Sequence, residues 1–150
     1  MHKIALTYLL LFAALNLGFV FPTVTSSKLD VSSAIITWED DDPLSWHDFK
    51  GKAKTWGGIS ALTASAIEYS YDCYGDQLDL DVKAIFIPDE SWVKQEAKTD
   101  YILAHEQLHF DITEIYARKL RQELSIQVKT CRDVWRIERI ANKVIDEWKD

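Results

Sequence analysis

The sequence predicts an α+β fold, an N-terminal antiparallel sheet followed by a long helix and a C-terminal helix. Three observations carry this prediction. Between Ile59 and Ile87, apolar and polar residues alternate about a Gly75-Asp76 turn, the period of strands. From Thr99 the spacing changes to i, i+3, i+4 and runs without Gly or Pro to about Lys129. With 47% hydrophobic and 27% charged residues in a chain of 150, the composition is that of one globular domain with a packed core, neither fibrous nor disordered.

The chain begins with a leader. His2 and Lys3 precede an apolar run from Ile4 to Phe21, which closes at Pro22 and a small, polar stretch ending at Ser27. Charge, apolar core and small-residue exit are the parts of a secretory signal, expected over residues 1–26, with the folded domain over 27–150. Asn16 and Gly18 interrupt the run and weaken the alternative, a membrane anchor. A secreted or periplasmic location follows. It gives meaning to the two cysteines, since an even count in an exported chain favours a Cys73–Cys131 disulfide. The closed loop spans 131 − 73 = 58 residues, for which chain entropy gives about 4 kcal/mol.

In order, residues 31–38 read as a short strand, and Pro43–Lys50 as a short helix with Asp42 as N-cap and Gly51 as stop. Gly57-Gly58 mark a turn, and Ile59–Tyr74 supplies one or two strands ending in the alternating YSYDCY. The return strand alternates from Leu78 to Ala84, becomes wholly apolar through Ile87 and stops at Pro88, so its far end is expected to be covered on both faces. The long helix, capped by Thr99 or Asp100, places apolar residues at 102, 103, 108, 112, 115, 116, 120, 124 and 128, the expected core stripe. A break near Ser125 would shorten it. A last helix, Asp133–Trp148, carries Val134, Ile137, Ile140, Ala141, Val144, Ile145 and Trp148 on one face.

Charge narrows the partners. Seventeen basic and 24 acidic residues give a net charge of −7, which disfavours nucleic acid and anionic membranes. Asp79 and Asp81 fit the solvated face of a strand, and neither that pair nor the acidic turn Glu39–Asp42 has the spacing of a calcium loop. Of the six Trp, Trp38, Trp46, Trp56 and Trp92 flank strands and turns, where packing is the commoner role than sugar binding.

Chemistry is concentrated in His105-Glu106-Gln107-Leu108-His109, an H-E-x-x-H pattern on the long helix. Residues four apart on a helix differ by about 40° in azimuth and about 6 Å in height, so both imidazoles can reach one metal ion. Glu106 projects about 100° away from His105 and reaches a water beside the metal without being a ligand. Zinc ligands at His105 and His109 with Glu106 as base make metal-assisted hydrolysis the expected reaction. Composition alone yields this pattern in well under about one chain in a hundred of this length.

The stretch Ser91–Arg121, SWVKQEAKTDYILAHEQLHFDITEIYARKLR, resembles the central signature of domain of unknown function family 922, predicted secreted zinc-dependent proteases of the zincin superfamily. The upstream WHDFKG, Trp46–Gly51, is similar to that family's other recurring block, and the likeness runs from about Trp38 to Trp148. The resemblance implies a minimal zincin-like fold, a Zn2+ cofactor, a peptide or protein substrate, ligands His105 and His109, and Glu106 as catalytic base. The strand Val82–Ile87 would offer a free edge to an extended substrate.

Two histidines do not complete a catalytic site, which takes three protein ligands and a water. The longer H-E-x-x-H-x-x-G-x-x-H form is absent, since 112 and 115 are both Ile. Asp111 and Glu114 point off the metal face of a straight helix, Ile112, Thr113 and Tyr116 read as packing, and His47 as a surface residue. Glu138, 138 − 109 = 29 residues beyond the second His, is the best-placed candidate within the chain. The resemblance adds another source, because family members continue into a segment that contains a further His, beyond Asp150 here. The rival expectation is an exported binding or envelope protein that keeps the scaffold without catalysis.

Overall fold

The structure is a computed structural model that describes residues 34–54 and 57–149. The expected leader, the first residues of the expected N-terminal strand and Trp56 lie outside them. The described residues belong to one compact unit, Val31–Asp150.

The strands precede the long helix and the C-terminal helix as predicted, with one short strand, Trp92–Val93, that the sequence did not predict. β1 (Ile36–Thr37), β2 (Ala61–Leu62), β3 (Ser65–Tyr74), β4 (Gln77–Phe86) and β5 (Trp92–Val93) precede α1 (Asp100–Gln127) and α2 (Ile137–Lys149). β3 and β4 form a hairpin closed by Gly75, whose φ of 64° is the left-handed conformation a two-residue turn requires. β1 pairs with the far end of β4, giving an antiparallel sheet of order β1-β4-β3, and β2 pairs with β5 as a separate ribbon. Val82, Ala84, Ile85 and Phe86 are all buried, so β4 is covered on both faces where its sequence turns wholly apolar.

α1 runs unbroken for 28 residues, about 42 Å at 1.5 Å per residue. Thr99 accepts a hydrogen bond from the Ile102 N–H at 3.3 Å, which caps the first turn. Its core stripe departs from the apolar spacing. Phe110, Thr113, Ala117, Leu120 and Leu124 are buried together with Glu106 and Glu114, whereas Leu108, Ile112 and Ile115 are exposed. A helix crossing one sheet face buries a narrow stripe, and here that stripe carries two carboxylates in place of two aliphatics. The last helix starts later than its sequence suggested. Thr130 and Asp133 form a capping box that opens a 3-10 segment, Cys131–Arg136, and the α-helix begins at Ile137. Lys119 of α1 donates to Glu147 of α2, a hydrogen bond that holds the Glu147 carboxyl below its ordinary value and raises the Lys119 ammonium above its own.

The expected helix at Pro43–Lys50 is instead a single turn at Trp46–Asp48. The Asp48 carboxylate accepts from both the N–H and the hydroxyl of Ser45, a local closure that competes with helix propagation. Lys50 and Gly51 then donate to the Pro88 carbonyl, and Gly51 also to Ser91 O at 2.8 Å. A Cβ at Gly51 would lie 2.8 Å from two backbone oxygens, so only glycine permits this approach. From here the rings of Trp46, Phe49, Phe86 and Phe110 follow one another at 5.1, 5.2 and 5.8 Å, tying the loop through the end of β4 to the motif turn of α1.

Candidate metal centre

His105 and His109 lie on the exposed side of α1, and their Nε2 atoms stand 3.2 Å apart. Two nitrogens each about 2.05 Å from one zinc at a tetrahedral angle stand about 3.3 Å apart, so the pair has the spacing of two ligands to a single ion. The rings are edge to face, 89° apart, and open to solvent. Room for water remains beside them.

Glu106 between them is buried, with 4% of its surface exposed. Its Oε2 accepts a hydrogen bond from the Thr63 hydroxyl at 2.8 Å, and no cation pairs with it among the described residues. Thr63 belongs to the strand connection before β3 and had no signal in the sequence, since it reaches the helix from 43 positions away. The Ser65 hydroxyl, two residues on, donates to the Thr113 hydroxyl at 2.7 Å, and the Thr113 hydroxyl donates its own proton to His109 O at 3.0 Å. The segment from Thr63 to Ser65 is thereby pinned across the motif turn. Ile59, Ala61, Leu62 and Thr63 face His105, Glu106 and His109 across a hollow of about 340 Å3.

No known protein family, curated protein or solved structure matches this chain.

The free edge expected at Val82–Ile87 does not exist. β1 pairs with Ile85 and Phe86, Trp38 N–H donates to Ala84 O, and β3 takes the other side of β4 along its length. The apolar composition of this strand marks a central position, where both edges are occupied. The edge that borders the hollow belongs to β2. Lys94 N–H donates to Ser60 O, which makes Ser60 and Leu62 the residues bonded to β5 and leaves the N–H and C=O of Ala61 directed away from it.

Glu138 is not brought to the histidines. It sits exposed in the first turn of α2, in a hollow with Tyr69, Tyr71 and Trp135. The end of that helix is the part that approaches the site, since Trp148 and Lys149 share a hollow with His109. Glu138 lies 148 − 138 = 10 residues earlier, about 15 Å back along the axis. Among the described residues no group of three His, Cys, Asp or Glu side chains could hold a metal ion.

The remaining carboxylates have structural partners. Asp111 accepts from the Trp38 indole at 2.9 Å and from Gln107 Nε2 at 2.8 Å, while Gln107 Oε1 accepts from Leu44 N–H, so the N-terminal segment is laced onto the motif helix. Glu114 is buried and ion-paired with Arg118 and Arg121, and Arg121 also donates to Val82 O. His47 is exposed.

Proposed function

We propose that the chain is an exported zinc-dependent hydrolase acting on peptide bonds, with His105 and His109 as metal ligands and Glu106 as general base. One observation carries the reading: two imidazole nitrogens at 3.2 Å, on the turn that also holds a buried carboxylate with no cation beside it. A zinc ion held by His105 and His109 would supply Lewis acidity. Glu106 takes a proton, at a carboxylate oxygen, from the water that adds to the peptide carbonyl and returns it to the amine as the C–N bond breaks. Thr63 holds Glu106 in one rotamer through its hydroxyl, and Ala61 offers backbone groups to an extended substrate lying in the hollow. Export is supported by the leader pattern and by the Cys73–Cys131 disulfide. No helix among the described residues is long and apolar enough to cross a membrane.

A second reading follows from the absence of a third donor among the described residues: a scaffold that binds metal weakly, or not at all, and does no chemistry. The deciding experiment is zinc content of protein purified without chelator, followed by peptide hydrolysis before and after chelation. Stoichiometric zinc with chelator-sensitive, zinc-restored cleavage supports the hydrolase. Protein that takes up no zinc and cleaves nothing supports the scaffold.

A further inference from the structure

At the other end of α2 from the histidines, Tyr69, Tyr71, Val134, Trp135, Ile137 and Glu138 line an open hollow of about 360 Å3. Trp135 is 68% and Tyr71 46% exposed, so aromatic surface that could have been packed is left facing water. Glu138 is the one charged residue of the lining, and it makes no ion pair or hydrogen bond with any described residue. The neighbouring arginines are turned elsewhere, Arg136 to the Gln127 carbonyl and Arg139 into a different hollow between the helices. Aromatic faces around an unpaired carboxylate attract a cation. The Arg136 guanidinium already stands 5.0 Å over the Trp135 ring.

The hollow lies beside a strand whose outer edge pairs with no other strand among the described residues. β3 is the edge of its sheet, ten residues long and without Pro. The Ile87 N–H donates to Ala64 O, and counting in twos from there turns the backbone groups of Ala66, Glu68, Ser70 and Asp72 toward β4. Those of Tyr69 and Tyr71 therefore point outward, on the edge that borders the hollow.

We propose that the open edge of β3 at Tyr69 and Tyr71, with the Trp135–Glu138 hollow beside it, docks an extended lysine-bearing segment of a partner protein. The segment's main chain pairs with the outward groups of Tyr69 and Tyr71, and a side chain on the helix-facing side carries its ammonium into the hollow against Glu138 and the rings. Charge favours this occupant over a second copy of the chain paired about Ser70. Self-pairing about Ser70 would set each copy's Glu68 against the other's Asp72, and like charges directly opposite destabilise a strand pair. A basic segment converts the same carboxylates, in a chain of net charge −7, into attraction. The site is independent of the zinc reading and is tested by binding alone.

The probe is a short, end-blocked, fluorescent peptide alternating Lys and Thr, titrated against the whole protein by polarisation at low ionic strength. Trp135→Ala and Glu138→Gln should each weaken binding by about fivefold or more, whereas Glu96→Gln, the same charge change at an exposed position in the 3-10 turn Gln95–Ala97, should leave it unchanged. A Glu/Thr peptide should not bind. A Lys/Thr peptide N-methylated at every backbone nitrogen, unable to donate to the edge, should bind more weakly. Both site residues are exposed, so the variants keep the fold, which circular dichroism checks. Three results would overturn the proposal: no binding of the Lys/Thr peptide, equal affinity for the wild type and both site variants, or undiminished binding of the N-methylated peptide. A concentration-dependent dimer abolished by Trp135→Ala would overturn it in favour of the second copy.

Discussion

Two turns of the same helix bury a carboxylate each, and they treat it in opposite ways. Glu114 is clamped by Arg118 and Arg121, one of which also reaches a β4 carbonyl, so its charge is neutralised and used to fasten α1 to the sheet. Glu106, two turns earlier and equally buried, receives one hydroxyl from Thr63 and has no cation among the described residues. Burying a carboxylate without a counter-charge costs several kcal/mol unless something else compensates. A fold that balances one acid and leaves its neighbour unbalanced, next to two open imidazoles, has the asymmetry expected between a structural and a working group.

The comparison can be broken at several points. Glu106→Gln should lower peptide hydrolysis by about a hundredfold or more while zinc content holds, and thermal stability of the metal-free protein should stay level or rise. A mutant that loses zinc and activity together would show that Glu106 is a ligand and not a base. The mirror experiment is Glu114→Ala. It should cost about 2–3 kcal/mol in denaturant unfolding, the lower part of the range for a broken buried pair because both arginines are partly solvated, with zinc content unchanged. Equal stability losses at 106 and 114 would erase the distinction. His105→Ala and His109→Ala should each lower zinc affinity by about tenfold or more, measured by competition with a chromogenic chelator; unaltered affinity in both would remove the metal site altogether. The smallest effect is expected at Thr63. Thr63→Val should reduce kcat by about threefold to tenfold with KM unchanged, and Thr63→Ser should restore it. A loss that serine fails to restore would mean that Thr63 acts through packing.

Much of the fold was legible because it rests on local signals. The hairpin turn at Gly75-Asp76, the Thr99 cap and the period change after Pro88 each act within a few residues, and each recurs in the structure. The histidine pair was legible for the same reason, since i, i+4 geometry is a property of one helix. What failed depended on distant segments. The apolar residues of α1 identified its buried face in the second half, where Leu120 and Leu124 are buried, and missed it in the first, where Leu108, Ile112 and Ile115 face water while Glu106 and Glu114 go inward to partners supplied by β2's neighbour Thr63 and by arginines further along the helix. The edge assigned to β4 failed because β1, only two residues long, occupies it. Glu138 was placed by counting residues after His109, and the count does not say which end of α2 comes to the site.

The Cys73–Cys131 bond has a consequence for how the molecule opens. Cys73 sits near the tip of the β3–β4 hairpin, where most residues from Ser70 to Asp79 are exposed and contribute little to the core. Besides the disulfide, the tip is fastened by Arg132, whose guanidinium makes two hydrogen bonds to the Asp76 carboxylate, an exposed pair of small worth. Reduction therefore releases a local unit and leaves the main core in place. Amides of the hairpin tip should exchange with deuterium faster in reductant, and a protease should nick the chain near Gly75, while the Phe49–Phe86–Phe110 end stays protected. The motif turn belongs to that protected end, so a reduced molecule would fray at its tip before its histidines lost their spacing.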